Sequence, residues 1–176
     1  MNMIQTIDVG LVVIDVEYRI QVWNGFMANH SGKAPHDVIG KNLFATFDTI
    51  PETWFRHKAE SVFLLKNRAF TTWEQRPFLF RFRNYRPITG TAETMYQNIT
   101  LIPLVSADGK VSHIGIIIYD VTDMAVGKMQ LEQANDELEA LSRTDRLTGL
   151  NNRGYWEECL IAEFKRVHRT KAPCTL

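Results

Sequence analysis

His113-Ile-Gly-Ile-Ile-Ile-Tyr-Asp-Val-Thr-Asp123 is the stretch from which the fold of this chain is best predicted. Its apolar part, residues 113–121, is rich in isoleucine, which favours a β-strand with a buried face. The segment Ala107-Asp-Gly-Lys110 precedes it and is typical of a tight hairpin turn, so a partner strand is expected over 96–105. Sixteen of the nineteen aromatic residues lie between Tyr18 and Tyr119, and none lies between 120 and 154. The stretch therefore closes a globular unit at about residue 122.

The residues before this hairpin alternate between strand and helix patterns. Asn24 can cap a short helix that Gly32 ends, and Pro35 suits the first turn of another that ends before Gly40. The spacing of apolar residues predicts the longest helix of this half over 51–67. The remaining predictions are helices over 25–31 and 35–39 and strands over 10–15, 19–23, 69–74 and 78–83. This order predicts an α+β fold in which helices cover one face of an antiparallel sheet and enclose an aromatic-lined cup.

Composition excludes several classes of protein. The 176 residues carry 20 Lys and Arg against 20 Asp and Glu, so no net charge draws the chain to nucleic acid or an anionic membrane. The apolar runs are much shorter than the roughly 20 residues of a membrane helix, and the N-terminus does not resemble a secretory signal. The two cysteines, Cys159 and Cys174, exclude a disulfide framework. We expect a cytoplasmic protein with no membrane segment and no nucleic-acid partner.

Four features together resemble a PAS sensor domain over about residues 5–123. They are the strand Gly10–Asp15, the helix start Trp23-Asn24, the step Ile39-Gly-Lys-Asn-Leu43 and the ending Tyr119-Asp-Val-Thr-Asp123. The resemblance implies a PAS fold over 1–122, with a five-stranded antiparallel sheet flanked by short helices and followed by a long helix. It also implies ligand sensing or dimerisation as the role of this domain.

Residues 123–143 form an acidic, aromatic-free connector with a repeat of three and four residues. Its apolar positions are Met124, Gly127, Leu131, Ala134, Leu138 and Leu141. This spacing favours a two-stranded parallel coiled coil and therefore a homodimer, with small residues at two core positions that weaken the seam and suit a signalling link. The alternative is a single amphipathic helix that packs back on its own domain.

Ser142-Arg-Thr-Asp-Arg-Leu-Thr-Gly-Leu-Asn-Asn-Arg153 is the most specific motif of the chain. It closely resembles the start of a GGDEF domain, the diguanylate cyclase fold, in its fixed positions Asp145, Leu147, Thr148, Gly149, Leu150, Asn152 and Arg153. The resemblance implies that 144–176 begin such a domain, with GTP and magnesium bound by parts that are not in this sequence. No catalytic residue can be assigned here, and the charged members of the motif are expected to be structural or to couple the connector to the catalytic domain. An asparagine, Asn151 or Asn152, can cap the next helix, which places Trp156, Leu160, Phe164 and Val167 on one face.

The aromatic residues of the sensor favour an ordinary apolar core. The alternative is a ligand pocket, with Trp54, His57, Phe63, Trp73, Phe80 and Tyr96 as its candidates. Of these, Trp54, His57, Trp73 and Tyr96 combine an apolar body with a hydrogen-bonding tip, which suits a small aromatic or polar metabolite. His57 stands where haem-binding relatives often place an axial histidine, but its charged neighbours favour a solvated surface, so haem is disfavoured. A cysteine-adduct flavin is excluded by the absence of cysteine before Cys159, and scattered histidines do not support zinc.

The stretch Phe78-Leu-Phe-Arg-Phe-Arg83 alternates aromatic and basic residues. It predicts an amphipathic strand that exposes its arginines to water. The alternative is an anion or carboxylate site assembled from Arg81, Arg83 and Arg86. Prolines at 77 and 87 indicate that the stretch is not a central strand throughout.

Taken together, these patterns predict the sensory PAS module of a diguanylate cyclase-type protein, controlled through dimer geometry. Two alternatives stay open: a non-enzymatic dimerisation module with a degenerate GGDEF remnant, and a regulator of a cyclic di-GMP phosphodiesterase. A histidine kinase is disfavoured because no phosphoacceptor histidine in a His-Glu context lies on or after the connector.

Overall fold

Five strands form one antiparallel sheet in the order β2-β1-β5-β4-β3. This computed structural model describes residues 7–84, 92–143, 148 and 150–170. The strands are β1 (Gly10–Asp15), β2 (Ile20–Trp23), β3 (Ala69–Thr71), β4 (Gln97–Val105) and β5 (Val111–Asp120). The helices are α1 (Gly25–Ser31), α2 (Pro35–Val38), α3 (Leu43–Thr46), α4 (Glu52–Leu65), α5 (Thr122–Arg143) and α6 (Arg153–Thr170). The chain divides into two compact units, Met1–Val126 and Gly127–Leu176.

The inner face of the sheet forms the core of the first unit. Val12, Ile116 and Leu101 are paired across the three central strands, and all three are buried. Because side chains alternate along a strand, residues two positions away, such as Ile14 and Ile114, share this face and are also fully buried. The helices cover this face, as the apolar alternation predicted.

Asn24 connects the first strand to the first helix. Its Oδ1 accepts hydrogen bonds from the backbone N–H groups of Leu11 (3.0 Å) and Met27 (3.3 Å), and its Nδ2 donates to the carbonyl of Val9 (2.8 Å). One buried amide thus caps α1 and extends the pairing of β1. At the other end of α1, Gly32 has φ +68°, the left-handed conformation that ends helices at low cost with glycine. The predicted start and end of this helix are both confirmed.

The predicted hairpin is present, and the helix predicted over 51–67 is present as α4. Gly109 has φ +78°, and the N–H of Ser106 donates to the carbonyl of Lys110 at 2.8 Å, which closes the turn between β4 and β5. On α4 the buried residues are Phe55, Ala59 and Val62, the helical spacing that the sequence indicated. β3 is shorter than expected and ends at Thr71.

The predicted strand over 78–83 is wrong. These residues are irregular, apart from an isolated bridge between Arg83 and Thr94. The side chain of Gln97 occupies the place of a neighbouring strand: its Oε1 accepts from the N–H groups of Leu79 (2.9 Å) and Phe80 (3.1 Å), and its Nε2 donates to the carbonyl of Phe80 (2.7 Å). A side-chain amide therefore satisfies backbone groups that a strand would have paired.

The second unit contains most of α5 and all of α6. The N–H of Tyr155 donates to Oδ1 of Asn152 at 2.8 Å, so Asn152 caps α6 as one of the two predicted asparagines. Among the described residues, no helix combines the length and apolar composition needed to cross a membrane.

Candidate functional site

The interior of the first unit is packed with aromatic rings. The rings of Trp23 and Phe47 are stacked at 5.2 Å between centroids, and Phe80 contacts both in edge-to-face geometry at 5.7 and 5.1 Å. Phe82 stacks on Phe80 at 5.6 Å. Such aromatic pairs stabilise the fold beyond the effect of burying their apolar area, and they hold the rings in fixed positions. Phe80, a predicted pocket residue, therefore belongs to this cluster and is almost fully buried.

The other predicted pocket residues are distributed over different places. Trp73 and Tyr96 are brought together, with ring centroids 5.5 Å apart. Trp54 instead lies under the guanidinium of Arg76, at 4.5 Å. His57 is exposed on α4 and Phe63 is half-buried there. Whether this set binds a ligand stays a prediction.

A cleft of about 460 Å³ opens next to the aromatic cluster. Three segments line it: the end of α1 with the residues after it, the connection from α3 to α4, and residues 80–83. Its lining residues are His30, Ser31, Lys33, Thr46, Phe47, Asp48, Thr49, Phe80, Arg81, Phe82 and Arg83. Arg81 and Arg83 were the alternative anion site of the sequence, whereas Arg86 lies outside the described residues. The contributions of α1 and of the α3–α4 connection could not be found from the sequence, because only the folded chain brings these distant segments together.

A polar junction connects the sheet to α5. Oδ1 of Asp120 accepts from the N–H of Thr122 at 3.0 Å and from its hydroxyl at 2.6 Å. The hydroxyl oxygen of Thr122 accepts from the N–H of Tyr96 at 3.0 Å, and the N–H of Val121 donates to the carbonyl of Tyr96, also at 3.0 Å. Thr122 is buried, as is Ala125 one turn later. The first turn of α5 is therefore tied to the start of β4 as well as to the end of β5.

The predicted dimer seam lies on an exposed surface of α5. Met124, Leu131 and Leu138 are 55%, 62% and 64% exposed. Ala134 is exposed too, while the side chain of Leu141 lies outside the described residues. A helix that forms a coiled coil with a second chain carries an apolar stripe at heptad spacing that its own chain leaves exposed.

The motif over residues 142–153 is described in part. Asp145, Leu147 and Gly149 lie outside the described residues. Thr148 and Leu150 are exposed, and Nε of Arg153 donates to Oε1 of Glu157 at 2.8 Å along α6. The apolar face predicted for this helix is present, and its larger members Trp156 and Phe164 are mostly exposed.

The surroundings of Tyr18 affect its ionisation. Burial raises the pKa of its phenol, and the nearby Arg56 guanidinium partly opposes this increase. That guanidinium lies 4.4 Å from the Tyr18 ring centroid and 2.7 Å from Oε1 of Glu52. Tyr18 lies in the packed core, on the helix α4 side.

Comparison with known proteins identifies the class. A family model described as the PAS fold matches residues 2–121, and the chain belongs to this family. Among solved structures, a sensory box sensor histidine kinase from Vibrio cholerae is 26% identical, with a TM-score of 0.53, and the match covers 67% of this chain and 84% of that one. A PAS domain from Colwellia psychrerythraea has a TM-score of 0.51 at 12% identity, over 68% of this chain and 92% of that one, and shares the fold. The predicted PAS fold is thereby confirmed.

The chain is also similar to a much longer protein. The cyclic di-GMP phosphodiesterase PdeR of Escherichia coli K12 is 25% identical over 158 residues, which cover 86% of this chain but 20% of that protein. The chain thus spans about a fifth of the length of this relative. Since 86% of 176 residues is about 151, the similarity extends past the residues that the PAS family model matches.

Proposed function

We propose that this chain is the sensory and connecting part of a cyclic di-GMP signalling protein. The observation that carries the proposal is the similarity to PdeR, which continues beyond the PAS domain into the connector. A similarity confined to the PAS fold would indicate a sensor and nothing about its output, because this fold serves many functions. The protein would act in the cytoplasm, where GTP and cyclic di-GMP are found.

The junction at Asp120 and Thr122 offers a physical route from sensor to output. A change in the sheet that moves Tyr96 would change the hydrogen bonds that hold the first turn of α5. In a dimer, a small rotation of this helix would change the seam and the spacing of whatever domains follow. Control through two alternative packings of one interface is a common mechanism of signalling.

Two outputs agree with the observations. The motif 142–153 favours a GGDEF domain that begins at about residue 144, and hence synthesis of cyclic di-GMP from GTP with bound magnesium. The named activity of PdeR favours the second output, control of a cyclic di-GMP phosphodiesterase. In both cases catalysis belongs to residues outside this chain, and Asp145 and Arg153 are proposed to couple the connector to the next domain.

The dimer through α5 can be tested on the chain itself. Replacing Leu131 and Leu138 together by Lys puts two charges in the seam, and analytical ultracentrifugation should show a dimer converted to a monomer. The matched control is Gln130→Lys, which adds a charge on the same helix outside the predicted seam positions. A wild-type chain that remains monomeric at high concentration would contradict the coiled coil.

The output requires the whole gene product. Wild type and Thr122→Val are compared for synthesis of cyclic di-GMP from GTP and for its hydrolysis. Valine keeps the shape of threonine but removes the hydroxyl that joins Tyr96 to Asp120, so the rate of the output reaction should change. Thr53→Val, an exposed position on α4, is the control. Absence of both reactions in wild type would leave the non-enzymatic module as the better explanation.

The sensor ligand is proposed to be a small molecule other than haem or a cysteine-adduct flavin. An absorption spectrum of the purified protein tests this directly, since either group has a strong band in the visible or near-ultraviolet range. A Soret band that disappears in His57→Ala would restore the haem hypothesis.

A further inference from the structure

The cleft beside the aromatic cluster carries an excess of positive charge in a chain that has none overall. Lys33, Arg81 and Arg83 line it, together with the imidazole of His30, against the single carboxylate of Asp48. The chain as a whole has 20 basic and 20 acidic residues, so the cleft is a local concentration of one sign. Such a concentration in a concave surface attracts anions more strongly than the same charges would on a flat one.

The two cleft arginines differ in their pairing from Arg56 and Arg153. Arg56 and Arg153 pair with a glutamate on their own helices, at 2.7 and 2.8 Å. Arg81 and Arg83 form no ion pair with any residue that the structure describes. A guanidinium that has no carboxylate partner within the protein keeps its N–H donors available for the carboxylate of a ligand. It can bind that carboxylate through two parallel hydrogen bonds.

The backbone that carries these arginines is held firmly. The side chain of Gln97 binds the N–H groups of Leu79 and Phe80, and the N–H of Phe82 donates to the carbonyl of Phe80 at 2.8 Å. Phe80 and Phe82 are buried on either side of Arg81 and stack on one another. The side chains of Arg81 and Arg83 are exposed and line the cleft, whereas the backbone beside them is held by these hydrogen bonds. A fixed backbone reduces the ordering cost that a ligand would otherwise meet.

The lining of the cleft also has an apolar part. Phe47, whose side chain is only half-buried, contributes to it next to Thr46 and Thr49, whereas Phe80 and Phe82 are almost fully buried. This combination suits a compact ligand with a flat apolar body and a negatively charged group at one end. The volume of about 460 Å³ is within the range of small-molecule sites.

We propose that this cleft binds a small organic anion, with a carboxylate held by Arg81 and Arg83 and a planar apolar body against the side chain of Phe47. The inference rests on the proposed sensory function and assigns its ligand class and its site. The wall of the cleft is bonded to Gln97, and the preceding residue, Tyr96, holds the first turn of α5. A ligand that contacts residues 80–83 would therefore bind close to the Asp120–Thr122 junction, through which the sensor would control its output.

The test is calorimetric titration of the 176-residue chain with benzoate, with benzamide as its neutral counterpart, and with inorganic phosphate. Benzoate should bind saturably, and benzamide about tenfold or more weakly, because a charge-assisted bidentate pair is stronger than neutral hydrogen bonds. Arg81→Gln and Arg83→Gln should each weaken benzoate binding about tenfold. Arg68→Gln, an exposed arginine outside the cleft lining, should leave it unchanged. The affinity should also fall as salt is added.

Several results would overturn this proposal. Equal binding of benzoate and benzamide would mean that charge does not contribute, and phosphate binding as tight as benzoate would remove the apolar body from the ligand class. No saturable binding by any of the three probes, or wild-type affinity in the double variant of Arg81 and Arg83, would exclude the site. Circular dichroism checks that each variant is folded. These measurements are independent of dimerisation and of the output reaction, so failure here is distinguishable from failure of the proposed function.

Discussion

Gln97 is the residue whose replacement tests the structural reasoning most directly. Its side chain is fully buried and accepts the N–H groups of Leu79 and Phe80. In Gln97→Leu both N–H groups would stay buried without an acceptor, at about 1–3 kcal/mol each. The carbonyl of Phe80 keeps a partner, because the N–H of Phe82 also donates to it. After allowing about 1 kcal/mol for the more favourable burial of leucine, we expect a loss of about 3 kcal/mol in the free energy of unfolding.

Urea unfolding followed by tryptophan fluorescence measures this loss. Three of the four tryptophans, at positions 23, 54 and 73, lie in the first unit, and Trp156 lies in the second. Trp156→Phe is therefore introduced into every variant so that the signal reports on the first unit. With an m-value of about 2 kcal/mol/M, the midpoint of Gln97→Leu should fall by roughly 1.5 M.

The matched control is Gln75→Leu, the same substitution at an exposed position. It should change the free energy of unfolding by less than about 0.5 kcal/mol. A loss below about 1 kcal/mol for Gln97→Leu, or an equal loss in the control, would refute the assignment of the buried amide as the group that holds residues 79–80.

Three further predictions use the same unfolding assay. Gly10→Ala should destabilise by about 1–3 kcal/mol, because its Cβ would lie 2.6 Å from a methionine sulfur, whereas Gly115→Ala, with nearest atoms at 3.9 Å, should cost much less. Asn24→Ala removes a buried amide that bonds, among the described residues, to Leu11, Val9 and Met27, and should cost about 2–4 kcal/mol; a loss below about 0.5 kcal/mol would contradict its role in both β1 and α1. Burial raises the pKa of Tyr18, so above a pH of about 10 the unfolded chain loses this proton first. Stability should therefore decline through that range in wild type, and the decline should be smaller in Tyr18→Phe.

Local signals in the sequence were sufficient for most elements. The cap at Asn24, the left-handed Gly32 and the turn at Gly109 each act through neighbours only a few residues away, so a linear reading can find them. The helical spacing of Phe55, Ala59 and Val62 reflects one buried face, which periodicity reports directly. The fold class followed from the order of these elements.

The failure at 78–83 has a physical reason. Alternating aromatic and basic residues have the period of a strand, but a strand also needs a partner for its backbone groups. Here that partner is one amide, Gln97, which is 17 residues away from Phe80 in the sequence. A pairing between a distant side chain and a backbone leaves no trace in periodicity, since it depends on where two segments meet in space.

For the candidate site too, some features could be predicted from the sequence and others could not. The sequence predicted the family, the connector with its apolar stripe and, as an alternative, an anion site with Arg81 and Arg83. Only the tertiary structure decided that the aromatic residues fill the core, that α1 and the α3–α4 connection complete the cleft, and that Tyr96 joins Thr122. Short-range patterns are determined by covalent geometry and local burial. A cleft and a junction instead arise where segments far apart in the sequence pack together, and that arrangement depends on the whole fold.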